Sequence, residues 1–416
     1  MENIGDISLG KRTDREDDQN LNQVESDNQI AADQQLHITL PKRPRVPLLE
    51  GCRSVECFEH LNKIDEGAYG VVYRARDKQT NEIVAIKKLK LDREKEGFPI
   101  TALRELSTLI SLKHPHIVNV KEVVYGSTLD KIYVVMEYMD HELKSILEDR
   151  KLNFSYAQIK CLIRQILEGV NHMHKNWIFH RDLKTSNLLY GNNGILKVCD
   201  FGLARKFGSP LRPYTNLVVT LWYRAPELLL GTEVYSPAID MWSVGCIFAE
   251  LILKDPLMMG KGELDQIDKI FRIFGNPNHE NWPGWQKLKF AKNIQLNKKF
   301  NKCVLRDKFP IMPTSIDDSM YLDDKGLDLM LKMMTYDPSK RISAEDALNH
   351  PWFKESPKTE KIESMPSFQS LNEMSREQLR KKRKKSLDED QMRQREEMYE
   401  KEERYLNMQQ KNYQDV

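Results

Sequence analysis

His180-Arg181-Asp182-Leu183-Lys184-Thr185-Ser186-Asn187 is followed, after a short hairpin, by Asp200-Phe201-Gly202 and then by Ala225-Pro226-Glu227. The residue types define a chemistry. Asp182 can accept the proton of an attacking hydroxyl and align its oxygen, and Lys184 can neutralise charge on a group in transfer. Asn187 and Asp200 offer the oxygen donors that hard Mg²⁺ requires.

Upstream, Asp65-Glu66-Gly67-Ala68-Tyr69-Gly70-Val71-Val72 lies between two stretches with strand alternation. Gly67 and Gly70 would let a hairpin approach phosphates through backbone N–H groups. A glycine-bearing hairpin is by itself ordinary, and Asp65 stands where a three-glycine loop would carry its first glycine. Val84-Ala85-Ile86-Lys87 follows on a strand. A strand lysine is ordinarily a solvated cation, but Glu105 on the next helical stretch can pair with Lys87 and direct it at the α- and β-phosphates of ATP. Each triplet alone is unspecific. Their joint order, spacing and secondary-structure context match the protein kinase signature set. Lys87, Glu105, Asp182, Lys184, Asn187 and Asp200 are all present, which argues against a catalytically dead scaffold.

The rest of the chain is consistent with that reading. Of 416 residues, 40% are hydrophobic, with the apolar runs concentrated in the middle. A net charge of +2 points to neither a nucleic-acid binder nor a membrane-surface protein. The six cysteines form no CxxC pair, which fits a reduced intracellular setting, and neither a secretory signal nor a membrane span is expected. Residues 1–52 are polar and expected to be a disordered extension carrying PKRPR at 41–45. Alternation predicts strands over 57–65, 70–76, 82–90, 117–125 and 131–137, with a helix over 100–113. From about 142 the pattern turns helical. The expected fold is α+β and bilobal: a small, mainly β lobe (53–139) with one long helix, and a larger, mainly α lobe (140–353). Residues 354–416, with KKRKK at 381–385, are expected to be a charged tail, disordered or partly helical.

The region 53–353 resembles the cyclin-dependent kinases. Pro99-Ile100-Thr101-Ala102-Leu103-Arg104-Glu105 is similar to the family's cyclin-contacting helix, with Ala102 where the PITSLRE subgroup carries Ser. Gly51-Cys52-Arg53-Ser54-Val55, Glu94-Lys95-Glu96-Gly97-Phe98-Pro99, NWIFHRDLKTSNLL at 176–189 and YTNLVVTLWYRAPELLLG look most like that subgroup. The resemblance implies ATP and Mg²⁺. It implies an adenine site formed by Ile64, Val72, Ala85, Met136, Glu137, Met139 and Leu189, with Cys199 alongside. It further implies that Thr215 is phosphorylated by an activating kinase and that Arg104, Arg181 and Arg205 receive the phosphate. Tyr69 matches an inhibitory phosphorylation site whose threonine neighbour is replaced by Ala68. Val219 and Arg224 match the pocket of members that prefer Ser/Thr-Pro, Asp240 matches a brace of the catalytic loop, and Arg341 matches the partner of Glu227. The partner would be a cyclin, of the L type for this subgroup, and the setting nuclear, in transcription and pre-mRNA splicing, with the cytoplasm as a further expected location. No direct nucleic-acid or membrane binding is expected. The transcription-elongation and cell-cycle kinases are the enzyme alternatives, and a pseudokinase scaffold is the non-enzyme one.

Overall fold

A computed structural model describes residues 51–67, 70–89, 100–127, 131–149, 152–211, 213–214, 219–311 and 321–369. Tyr69, Thr215, PKRPR and KKRKK lie outside them.

The alternating stretches form a five-stranded antiparallel sheet in the order β1-β2-β3-β5-β4. Its strands are β1 (Phe58–Gly67), β2 (Gly70–Asp77), β3 (Ile83–Leu89), β4 (Val120–Tyr125) and β5 (Ile132–Glu137). The period of two divides β3 between two tasks. Val84 and Ile86 face inward with Phe58, Ala75, Val124 and Val135 to make the small core. Ala85 and Lys87 therefore point to the opposite face. At the edge of β4, Ser54 bridges Tyr125, and Arg53 reaches Asp77 at 2.6 Å and Glu122 at 2.5 Å. These contacts give the arginine of the GCRSV stretch a structural role, locking the segment before β1 onto the sheet.

Helix α1 (Ile100–Ser111) packs beside this sheet. Its apolar residues do not form one stripe, as their spacing had suggested. Leu106 and Leu109 turn inward, whereas Leu103 and Ile110, seven residues apart on another face, are 51% and 57% exposed.

The large lobe is built on α5 (Ala238–Leu253), which is buried along almost its whole length, and on α3 (Tyr156–Lys175), which is amphipathic. Ser155 and Gln158 close a capping box that starts α3. In chain order the lobe also has β6 (His141–Glu142), α2 (Leu143–Glu148), β7 (Ile178–Phe179), β8 (Leu188–Tyr190), β9 (Leu196–Val198), β10 (Arg205–Lys206), α4 (Pro226–Leu229), α6 (Glu263–Phe274), α7 (Asp324–Met333) and α8 (Ala344–Leu348). Strands β6, β8 and β9 form a three-stranded sheet under the junction of the lobes, and β7 pairs with β10. The bilobal α+β expectation is met. No helix among the described residues is long and apolar enough to cross a membrane.

One boundary needs correction. The tail was expected to begin at 354, yet the chain packs on the large lobe as far as 369. Glu360 N–H donates to Ala157 C=O at 3.1 Å, Met365 is buried, and Phe368 lies among aromatic rings. The charged composition of 354–369 hid three apolar anchors, Ile362, Met365 and Phe368.

Beneath the site, Arg341 makes a bidentate pair with Glu227 at 2.7 and 2.9 Å, and both side chains are almost fully buried. It also donates to Ala238 C=O and Thr335 C=O, tying α4, α5 and the segment after α7 together. Removing one partner leaves an uncompensated buried charge, so Arg341→Ala is expected to lower the unfolding free energy by about 3–5 kcal/mol. Urea denaturation measures it, and a loss under about 1 kcal/mol would contradict the assigned role.

Candidate active site

The site begins with a carboxylate that reacts with nothing. Asp240, in the first turn of α5, is buried, and it accepts His180 N–H and Arg181 N–H at 2.9 Å each and bonds His174 Nε2 at 2.9 Å. Burial alone would raise its pKa. The bonds from His174 and the backbone more than offset that and hold it below the usual carboxylate value. The ionised Asp240 thus pins the backbone just before Asp182. Arg181 sits there with φ +69°, a left-handed conformation that this anchoring and its bonds to Leu203 C=O and Tyr235 OH maintain.

Asp182 is caged. Its Oδ1 accepts from Thr220 N–H and Thr220 Oγ1–H, each at 3.0 Å. Its Oδ2 accepts from Lys184 Nζ at 2.9 Å and Asn187 Nδ2 at 3.1 Å. Lys184 also reaches Thr220 Oγ1 at 3.0 Å. Thr220 is a site residue that sequence reasoning missed, although it stands inside the quoted VVTLWYRAPE stretch. A second missed group lies behind it. Glu250, buried on α5, accepts from Thr185 Oγ1 at 2.8 Å and Tyr223 OH at 2.7 Å, joining the catalytic loop to the segment after Thr220. No motif position pointed to Glu250, whose carboxyl is pushed up by burial.

On the small-lobe side, Lys87 Nζ lies 2.5 Å from Glu105 Oε1, so α1 sits in the position that closes this pair. Burial opposes the Lys87 charge, but Glu105 and Asp200 outweigh it and hold its pKa above the ordinary lysine value. Lys87 therefore stays protonated at neutral pH and can face phosphate. The turn Phe201–Leu203 packs against α1, and the Phe201 ring lies 4.9 Å from that of His180. His180 Nε2 in turn bonds Cys199 C=O at 2.9 Å. The catalytic loop, the Asp200 segment and α1 form one connected unit.

The sheet register brings Val72, Ala85 and Met136 of the expected adenine residues to one face. Val72 is paired with Lys87, and Ala85 lies between Arg74 and Met136. Ala85 and Met139 are buried. Ile64 precedes the hairpin end where Gly67 meets Gly70. Glu137 is tied by its carboxylate to Lys197 at 3.0 Å and to Asn119 N–H at 2.6 Å. Leu189 enters from below on β8, paired with Glu142 of β6. Gly70 has a packing reason of its own: a Cβ there would collide with Lys88 C=O. The Cys199 thiol is pushed up by burial and by the Asp200 carboxylate, so it stays protonated and is no candidate nucleophile.

The donor set fits a metal shared with phosphate. Among the described residues no group of three or more His, Cys, Asp or Glu could cage an ion alone. Mg²⁺ typically takes one or two protein oxygens and completes its shell with phosphate and water. Asp200 supplies a carboxylate. Asn187, with its NH₂ committed to Asp182, can turn Oδ1 to the same cation. Of the arginines expected around Thr215, Arg181 donates to Tyr235 OH and Arg205 to Ala204 C=O, while Arg104 is half-buried on α1.

Comparison with known proteins agrees. The protein kinase domain family model matches residues 58–353. Cyclin-dependent kinase G-2 of Oryza sativa subsp. indica is 57% identical over 336 residues, covering 81% of this chain and 47% of that protein. Cyclin-dependent kinase 11B of Rattus norvegicus is 54% identical, covering 76% of this chain and 70% of its own. Serine/threonine-protein kinase PITSLRE of Drosophila melanogaster is 52% identical, covering 79% and 34%. The yeast RNA Pol II CTD kinase CTDK-1 complex contains a chain of similar structure, with TM-score 0.67 and 39% identity, covering 74% of this chain and 97% of that one. The chain belongs to the protein kinase family and, within it, to the cyclin-dependent kinases, on the side of the PITSLRE subgroup. It spans about half the length, or less, of the first curated relatives it matches.

Two variants test the geometry. Thr220→Val removes the hydroxyl that joins Asp182 to Lys184, and is expected to lower kcat for ATP-dependent phosphate transfer about tenfold with little change in peptide KM. A rise in KM with kcat intact would move Thr220 from orientation to binding. Asp200→Asn is expected to abolish the Mg²⁺ dependence of nucleotide binding without lowering the melting temperature. Unchanged Mg²⁺ dependence in the folded variant would remove Asp200 from the metal site.

Proposed function

We propose that this chain is a proline-directed Ser/Thr protein kinase, partnered by a cyclin, that transfers the γ-phosphoryl group of ATP to protein hydroxyls. The observation that carries the reading is the caged Asp182. Its carboxylate is oriented through four bonds and backed by Lys184, as a group receiving a hydroxyl proton beside a transferring phosphoryl group must be.

The residues take these roles. Lys87, positioned by Glu105, holds the α- and β-phosphate oxygens. Asp182 accepts the proton from the substrate Ser or Thr as its oxygen attacks the γ-phosphorus in line and ADP leaves. Lys184, beside Asp182 Oδ2 and Thr220 Oγ1, offsets negative charge in the transition state. Asp200 and Asn187 would hold Mg²⁺ with the nucleotide, and the ion would supply neutralisation of phosphate charge.

Substrate choice rests on Val219. Its φ is +66°, an uncommon conformation for a β-branched residue, and its carbonyl accepts from Arg224 Nε at 3.2 Å and Nη2 at 3.0 Å. Arg224 is fixed in turn by Glu263 at 2.5 Å. A carbonyl so engaged offers little to the N–H of the residue after the target. Proline has no N–H to leave unpaired and so loses nothing there.

The cyclin partner is supported by the names of the relatives and by the exposed Leu103 and Ile110 of α1. An L-type cyclin fits the PITSLRE side of the family. Activation would follow when another kinase phosphorylates Thr215 and its phosphate draws Arg104, Arg181 and Arg205 together, with Tyr69 as an opposing inhibitory site. A nuclear role in transcription and pre-mRNA splicing fits PKRPR and KKRKK as import signals. The similarity to a chain of the yeast RNA Pol II CTD kinase complex supports a transcriptional setting.

Paired peptides that differ only in Pro or Ala after the target are the test. The Ala peptide is expected to show kcat/KM lower by about one to two orders of magnitude, and Arg224→Ala to narrow that ratio by releasing the Val219 carbonyl. Equal rates on the two peptides would exclude a proline-directed pocket.

A further inference from the structure

The last described segment, 354–369, is not needed to complete the kinase motifs, yet it is anchored with care. Lys160, fully buried on α3, donates to Trp352 C=O at 2.8 Å and Glu355 C=O at 3.1 Å where the segment begins. It then crosses the β8–β9 turn so closely that a Cβ on Gly194 would strike Ile362 C=O. Tyr190 OH donates to Pro366 C=O. The Phe368 ring lies 5.5 Å from Phe154 and 5.9 Å from both His141 and Tyr190.

Its end point is informative. Asn192 Oδ1 accepts Phe368 N–H at 2.8 Å and bonds His141 Nε2 at 3.1 Å, while Asn192 N–H donates to Asp140 Oδ2 at 2.8 Å. Asp140 and His141 directly follow Met139, whose backbone would meet the adenine. His141 and Glu142 form β6, which pairs with Tyr190 and Leu189. His141 is fully buried, and burial lowers its pKa, so the ring is neutral and keeps these bonds at physiological pH.

We propose that this segment is a brace of the nucleotide site, in which Phe368 and Asn192 are positioning residues. They clamp Asp140–His141 and thereby set the hinge backbone at Met139 and the height of Leu189 beneath the base. The proposal rests on the kinase reading, since it assigns a second set of residues to the same nucleotide pocket. Neither residue need touch ATP. Each acts through strand β6.

The test uses the full chain and a non-hydrolysable ATP analogue with Mg²⁺, titrated by calorimetry, with nucleotide-free melting and hydrogen exchange over 139–142 measured in parallel. Phe368→Ala and Asn192→Ala are each expected to weaken nucleotide affinity about 3- to 10-fold and to speed exchange at the hinge, the size of effect that residues without ligand contact exert. Phe368→Leu, which keeps an apolar plug, is expected to restore most of the affinity. KM for ATP would rise while kcat at saturating ATP and peptide KM stay close to wild type. A purely structural role predicts lower melting temperatures with affinity within about twofold, and that result would overturn the brace. Should Phe368→Ala not fold, Asn192→Ala decides alone, by the same criterion. Failure of the wild-type chain to bind the nucleotide would overturn the kinase reading and the brace with it, whereas equal binding by all variants would overturn only the brace.

Discussion

Everything catalytic in this protein hangs from one carboxylate. Asp240 is carried on a helix that is buried along almost its whole length, and it takes the two backbone N–H groups that precede Asp182. An ionised group in that position is stable only because its acceptor capacity is filled by His174 and the backbone. The constraint propagates outward. With His180 and Arg181 fixed, His180 holds Cys199, the next residues place Asp200 and Phe201, and the Phe201 turn seats α1 so that Glu105 meets Lys87. The large lobe thus sets the position of the small-lobe helix that completes the site.

That chain of contacts also explains why α1 is the natural point of control. Its inner face is held by Leu106 and Leu109, but Leu103 and Ile110 present apolar surface with nothing of this lobe over them in the described residues. A partner covering that face would stabilise the closed Lys87–Glu105 pair without touching the chemistry. The same logic separates the two lobes by task. The sheet supplies a pocket through its register, and the helical lobe supplies the reacting groups through buried bonds.

Much of this was legible in the sequence, for a physical reason. Motifs such as His180–Asn187 and Val84–Lys87 are short, local and chemically demanding, so residue type and spacing carry the information. Strand alternation placed all five strands of the sheet to within about three residues, because one face of each is buried. What escaped were groups whose role depends on tertiary contact. Thr220 and Glu250 look like any polar residue until the fold brings them to Asp182, Thr185 and Tyr223. The outward face of α1 was hidden because Leu103 and Ile110 share helical spacing with their inward neighbours. The segment 354–369 was misjudged because charge dominates its composition, whereas three apolar side chains decide its packing.

The central claim is that Asp182, held in this cage, receives the proton during transfer of phosphate from ATP. It is tested most directly by isolating the protein with its bound partner from cells and measuring γ-phosphate incorporation into a Ser-Pro peptide, wild type against Asp182→Asn. The account predicts robust transfer by the wild type and, from an equally stable and nucleotide-binding variant, a rate lower by about two orders of magnitude or more. Equal incorporation by the two proteins, or none by the wild type in a complex that binds nucleotide, would contradict it.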